Sequence, residues 1–265
     1  MKKLMTCLLA LILLMTLSAQ AETFKVGMEC NYAPFNWTQA EESAFTVPLA
    51  AGGFADGYDV QVALFIAKEL GMELEIVKTE WDGLPMALVS GKIDAIIAGM
   101  SPTEERKVTL DFSAPYYESD LVIVVKKGGQ YESAASLFDF SGAKITGQLN
   151  TFHYSVIEQI PGVDQQTALD TFPAMIVALS SGRIDGYVSE RPGALSAVAS
   201  NPDFTFVSFE EGLGFEASVE DTAVAVGLRK ESELMDNINA ALSKLDKETR
   251  DQLMNEAMGR QPLSE

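Results

Sequence analysis

Sulfur and imidazole are scarce in this chain. Among 265 residues there are two cysteines, Cys7 and Cys30, and one histidine, His153. Cys7 falls in an amino-terminal stretch expected to be removed, so Cys30 stands alone and an intramolecular disulfide is excluded. At the end of an expected strand, Cys30 reads as a small buried hydrophobe. The lone histidine is far from it in sequence, so neither a cysteine–histidine nucleophile pair nor the usual zinc arrangements find support. Basic residues are in deficit: 19 Lys and Arg against 38 Asp and Glu leave a formal charge of −19. So acidic a surface disfavours nucleic acid and anionic membranes as partners, while saying little about a ligand held in a cleft. Beyond residue 21 no apolar run approaches the roughly 20 residues of a membrane-spanning helix.

What is present begins with an export signal. Lys2 and Lys3 precede a largely apolar stretch over residues 4–17, and Ala19-Gln20-Ala21 supplies a small-x-small cleavage pattern. That stretch is too short for a bilayer span, so residues 1–21 are expected to be a cleaved signal peptide and the remainder a periplasmic protein. Cys7 lies too far from the cleavage pattern to be a lipid-attachment site. The 244 residues that follow suffice for one large or two medium domains.

Past that point strand and helix periodicities alternate. Residues 23–28 alternate as a strand, residues 38–57 read as a polar loop or loose hairpin, and residues 59–70 have helical spacing that stops at Gly71. Strands are expected over 73–77, 93–98, 121–125, 142–147, 184–188 and 223–228. Helical segments lie after Gly83, over 155–160 and 174–179, and over 232–244 and 246–258 at the end. This order predicts α/β architecture with mostly parallel sheets, in which ligands sit beyond the carboxyl ends of the strands.

One phrase occurs twice. LPMALVSGKIDAIIAGM begins at Leu84 and PAMIVALSSGRIDGYVSER at Pro173, with Ser90 matching Ser181 after 91 residues. Each copy reads as a short helix, a Ser-Gly-basic-Ile-Asp corner and a buried strand, which suggests two similar lobes facing each other across a cleft. After the first strand, Ser101-Pro102-Thr103-Glu104 has the pattern of a capping box with proline at the first helical position. Arg106, one turn on, offers a planar fork for a carboxylate, although the capping signal by itself favours a plain capped helix with Arg106 paired to Glu104 or Asp111. Gly99 would let the backbone approach a ligand. After the second strand stands Glu190, free for a cation or paired with Arg191 on a loop. A ligand bridging both corners needs an anionic and a cationic end, and an α-amino acid carries both on one carbon.

Taken together, these residues resemble the periplasmic solute-binding proteins of ABC transporters, in the family that binds polar amino acids. Tyr32-Ala33-Pro34-Phe35, Gly57-Tyr58-Asp59-Val60, Trp81-Asp82-Gly83-Leu84, Ser90-Gly91-Lys92-Ile93-Asp94, Ser101 through Arg106, and Asp111-Phe112-Ser113-x-Pro115-Tyr116 come in that family's order, over essentially the whole exported chain. The resemblance implies a type II periplasmic-binding-protein fold, two lobes joined by two crossing strands. Lobe 1 would comprise residues 22–118 and 219–265, and lobe 2 residues 119–218, with crossings at 121–125 and near 214–218. It further implies that Arg106 binds the ligand carboxylate with Ser101, Gly99 and Met100, and that Glu190 holds the α-ammonium. Tyr32 and Trp81 would sandwich the ligand side chain and Glu29 would reach its far end. The loop of Gln148, Leu149, Asn150, Thr151 and Phe152 matches the second-lobe contact segment. There Asn150 replaces a glycine, compatible with a left-handed backbone, and Phe152 replaces a hydroxyl. His153, next in sequence, reads as a surface or lid residue.

One arginine and one acid serve the α-groups in this scheme, so Glu29 is left facing the side chain. A spare carboxylate favours a basic amino acid (Lys, Arg, Orn or His), with glutamine second and acidic side chains disfavoured. The implied partners are a small L-amino acid and an ABC permease, the implied state a monomer, and no cofactor, metal or catalytic residue is expected. Two other classes remain: a ligand sensor, and a cyclohexadienyl-dehydratase-like enzyme using Glu190 or Glu29 as general acid. Against the enzyme, prephenate carries two carboxylates and this cleft offers one arginine.

Overall fold

Residues 22–262 are described by the computed structural model; the expected signal peptide lies outside them. The alternating TFKVGM stretch forms β1 (Thr23–Met28), which buries Phe24, Val26 and Met28. The polar region that follows is a small antiparallel sheet of β2 (Asn31–Tyr32), β3 (Asn36–Gln39), β4 (Val47–Pro48) and β5 (Phe54–Asp56). Helix α1 (Tyr58–Leu70) ends at Gly71, whose φ of 69° is the left-handed cap that glycine adopts at low cost. Then come β6 (Glu73–Lys78), α2 (Leu84–Val89), β7 (Ala95–Ile96), α3 (Glu104–Lys107) and β8 (Leu110–Glu118). The second half runs β9 (Leu121–Lys126), β10 (Lys144–Thr146), α4 (Phe152–Ser155), β11 (Asp164–Gln165), α5 (Phe172–Ser180), β12 (Gly186–Glu190), α6 (Arg191–Ser200) and β13 (Phe204–Val207). The chain closes with α7 (Val219–Thr222), β14 (Ala223–Arg229), α8 (Met235–Leu242) and α9 (Lys247–Arg260).

Two five-stranded sheets result, ordered β6-β1-β7-β14-β8 and β11-β10-β12-β9-β13. The doubled phrase builds the same corner in each. Both helices carry proline in the first turn, both end at a left-handed glycine (Gly91, φ 75°; Gly182, φ 73°), and both aspartates lace a neighbouring strand. Asp94 Oδ2 accepts from Lys25 N at 3.0 Å, and Asp185 Oδ2 from Lys144 N at 2.8 Å. The shared aspartate is therefore a strand-end fastener.

The sheets are mixed rather than purely parallel. Each has four strands in one direction and one reversed: β14 runs antiparallel to β7 and β8, and β9 antiparallel to β12 and β13. These are the strands by which the chain arrives from the other half. Their entry passages carry no helix crossover of the length that would bring the chain back parallel.

The crossings differ from expectation as well. Residues 121–125 lie wholly within the second sheet, and the chain changes sheets at Ser119 and Asp120. Residues 214–218 are held to the second half, where Glu216 N donates to Gln159 Oε1 at 2.7 Å, and the return to the first sheet follows at 219–222. The two passages touch, Ser119 N donating to Thr222 O at 3.2 Å, and Arg191 grips Asp120 beside them. No helix among the described residues is long and apolar enough to cross a membrane.

Candidate functional site

Both sheets present the carboxyl ends of β1, β7, β10 and β12 to one gap. The first wall is organised from behind by Asp59 at the start of α1. Its carboxylate accepts from Tyr116 OH (2.7 Å), Asn36 Nδ2 (2.8 Å) and the backbone of Gly99. Burial raises its pKa, to about 6, against the lowering effect of those three bonds. Gly99 has φ 64°, and a Cβ there would stand 2.9 Å from the Tyr32 ring. Only glycine fits both the backbone and the close ring.

The helix carrying Arg106 is capped differently from its expected pattern. Thr103, not Ser101, is the N-cap of α3, its hydroxyl accepting from Arg106 N at 3.4 Å. The corner turns first, Thr103 N donating to Ser101 O at 3.0 Å, so the helix starts two residues later. Ser101 instead serves the guanidinium: Arg106 Nη1 donates to its carbonyl at 2.9 Å. Arg106 Nη2 reaches across the gap to the Asn150 carbonyl at 3.0 Å, and the guanidinium lies 5.1 Å from the centre of the Trp81 ring. Burial lowers the Arg106 pKa to about 10, opposed by Glu105 and Glu190, so it stays a cation at neutral pH.

The second wall turns on Glu190, 2% exposed at the end of β12. Tyr32 OH donates to its Oε2 from the opposite half, and His153 Nε2 lies 2.9 Å from its Oε1. Burial alone would raise the Glu190 pKa, yet the His153 contact and the Tyr32 bond outweigh it and hold the acid below its ordinary range. Arg191 pairs with Asp120, leaving Glu190 to the cleft. Tyr32 stacks on Phe172 with centroids 4.0 Å apart and planes 9° apart.

One cavity gathers most of the anticipated residues. Tyr32, Trp81, Gly99, Ser101 and Arg106 line it from the first half, and Gln148, Thr151, Phe152 and Glu190 from the second. Two do not line it. Met100 is buried in the core, its carbonyl accepting from Ala225 N at 3.0 Å. Glu29 sits one layer back, where its Oε2 accepts from Gln148 Nε2 at 3.1 Å.

Two contributors escaped the sequence reading, and a third does more than it anticipated. His153 is buried and lines the cavity rather than the surface, because α4 begins at Phe152 and turns its ring inward under Phe172. Phe172 supplies the stacking face for Tyr32, and nothing in the helical pattern of α5 singles it out. Asn150, expected only for its backbone, has φ 55° as foreseen and also joins the halves, donating through Nδ2 to Asp82 Oδ1 at 2.9 Å. No cluster of three or more potential metal ligands occurs among the described residues.

Two mixed sheets flanked by helices, facing each other over a cavity with a half-buried arginine on one wall and a buried acid on the other, define a two-lobed solute-binding protein. Residues 24–260 match the bacterial extracellular solute-binding proteins, family 3, and the chain belongs to that family. A probable histidine-binding protein of Campylobacter jejuni is 36% identical over 187 residues, 71% of this chain and 66% of that protein. A Streptococcus pneumoniae amino acid ABC transporter substrate-binding protein, solved with L-arginine bound, superposes with a TM-score of 0.76 at 27% identity, covering 89% of this chain and 94% of its own. An ancestral arginine-binding protein solved with glutamine bound gives a TM-score of 0.73 at 33% identity, covering 90% of this chain and 98% of its own.

Proposed function

We propose that this protein captures a polar, basic L-amino acid between its lobes outside the cytoplasm and delivers it to an ABC importer in the membrane. Residues 22–118 with 219–265 form one lobe and residues 119–218 the other, hinged at the paired crossings, and the protein acts as a monomer. Arg106 takes the ligand carboxylate with Ser101 and the Gly99 backbone. Glu190 takes the α-ammonium, and Tyr32 and Trp81 flank the side chain. The observation that carries this reading is the meeting of Arg106 and Glu190 around one cavity. A zwitterion offers each of them an opposite charge at once, its carboxylate to the guanidinium and its ammonium to the acid.

The ligand is basic because Glu29 leaves a carboxylate behind the cleft wall that the α-groups do not use. The relatives support this choice, one being described as histidine-binding and one being solved with arginine. Binding rather than catalysis is the role, since the acid at the α-ammonium position is held ionised and is poorly placed to donate a proton.

A thermal-shift screen of the purified protein against all twenty amino acids tests the reading. Saturating lysine, arginine or histidine should raise the melting temperature by several degrees, since a ligand at about a thousand times its Kd adds about 4 kcal/mol. A shift with glutamate alone would overturn the specificity. Silence across the panel would overturn the function.

A further inference from the structure

His153 lies in the first turn of α4, is 7% exposed and lines the cavity. The backbone puts it there. Gly147, just past β10, approaches α4 so closely that a Cβ on it would stand 2.9 Å from both the carbonyl carbon and the carbonyl oxygen of His153. Any larger residue would push the helix off the sheet. Phe172 meets the imidazole ring nearly perpendicular to it, with centroids 6.0 Å apart.

The ring spends its polarity on one partner. Nε2 lies 2.9 Å from Glu190 Oε1, while Nδ1 is buried with no hydrogen-bond partner among the described residues. An ionised carboxylate only accepts, so the ring hydrogen that serves it belongs on Nε2. A histidine that merely filled the core would leave Nδ1 unsatisfied for no gain, where an apolar side chain would pack without that cost. The contact with the acid is what the ring gains by standing here.

The two oxygens of Glu190 are held from different halves of the molecule. Oε2 accepts from Tyr32 OH, which belongs to the opposite half. Oε1 meets His153, and α4 packs against β12 within the half that carries Glu190 itself. The His153 contact therefore needs nothing from across the gap. A glutamate left free turns about the bonds of its own side chain, and fixing its carboxylate in advance removes an ordering cost from binding.

We infer that His153 is the positioning residue of the ammonium site: from within its own half it fixes the Glu190 carboxylate at Oε1 and so turns Oε2 toward the cleft, where the α-ammonium of the ligand meets it. This inference rests on the amino-acid-binding reading and adds to it the residue that presents the acid. Burial acts to raise the Glu190 pKa, and the His153 contact stands first among the influences that bring it below its ordinary range. A replacement that keeps an N–H donor at this place keeps the site in order. One that removes the donor leaves a buried oxygen without its partner and the carboxylate free to turn.

Calorimetric titration of the ligand-stripped protein with L-arginine and L-histidine tests it, with thermal shift at millimolar ligand for the weaker variants. The proteins compared are wild type, His153→Ala, His153→Gln, Glu190→Gln and the double variant. His153→Ala should weaken the tighter of the two ligands by at least about tenfold, the scale of one hydrogen bond to a charged group. His153→Gln, whose amide can donate to Oε1, should stay within about threefold of wild type. With Glu190→Gln already in place, His153→Ala should cost less than about twofold more, because the two residues act as one unit. A merely structural histidine would cost the same in both backgrounds. His153→Ala binding as tightly as wild type overturns the inference and leaves amino-acid binding intact. So does a loss as large in the Glu190→Gln background, or as large in His153→Gln as in His153→Ala. If wild type binds neither ligand the inference falls too, and the twenty-amino-acid screen decides the parent reading separately.

Discussion

At the residue scale the cleft is a problem in keeping buried groups charged. Glu190 is buried and Arg106 half-buried, and each is held ionised by protein partners before any ligand is considered. On the proposed reading, truncating Arg106 leaves the ligand carboxylate without its fork, a loss on the scale of about 3–5 kcal/mol for a broken ion pair shielded from water. Arg106→Ala should therefore weaken amino-acid binding by at least about a hundredfold in calorimetry. Glu29 works in the opposite sense, because its folded pKa is raised from 4.5 to about 7. The native state thus binds a proton more tightly than the unfolded chain, so stability is full below pH 4.5 and is lost as pH rises to 7. Glu29→Gln removes that cost, and should raise unfolding stability by about 2–3 kcal/mol at pH 8 but by less than about 1 kcal/mol at pH 4.5 in urea titrations. Residue identity made Arg106 and Glu190 legible in the sequence, since each follows a buried strand at matching corners. It concealed His153, whose inward orientation depends on where a four-residue helix begins and on packing under Phe172, neither of which has a periodic signature.

At the scale of elements, long periodic segments were readable and short ones were not. The helix ending at Gly71 and the strands at 23–28, 121–126 and 223–229 fall within a residue or two of expectation, because burial on one or both faces writes a clear pattern. The strand expected over 93–98 shrinks to two paired residues, although all but Asp94 are buried, since β7 meets its neighbours only briefly. The capping box at Ser101 failed for a related reason: the carbonyl of Ser101 is committed to the Arg106 guanidinium, and Thr103 takes over the cap. The loop before α4 offers a sharper test. Asn150 holds φ 55°, a conformation that costs an ordinary L-residue about 1–2 kcal/mol and glycine almost nothing. Asn150→Ala should lower stability by about that amount, while Asn150→Gly should stay close to wild type in thermal melts. Since Arg106 bonds the backbone carbonyl of residue 150 and not its side chain, the glycine variant should also retain ligand affinity.

For the whole molecule, charge and topology set different things. A formal charge of −19 over a chain of this size makes the folded state repel itself, and most of the ion pairs that offset it are exposed and individually weak. Raising sodium chloride from about 10 to 300 mM should move the urea midpoint upward by screening that repulsion, whereas a downward shift would mean the ion pairs dominate. The two-lobed plan was legible from the doubled phrase. The direction of β9 and β14 was not, since strand polarity depends on where the chain has come from rather than on what it contains. That polarity has a practical corollary. Glu118 and Ala223 are ladder partners on adjacent strands, so everything between them occupies the position of a hairpin turn. The half that carries Glu190 is thus a hundred-residue guest at the tip of a host hairpin, and the two short passages that join it are where it could be exchanged for another.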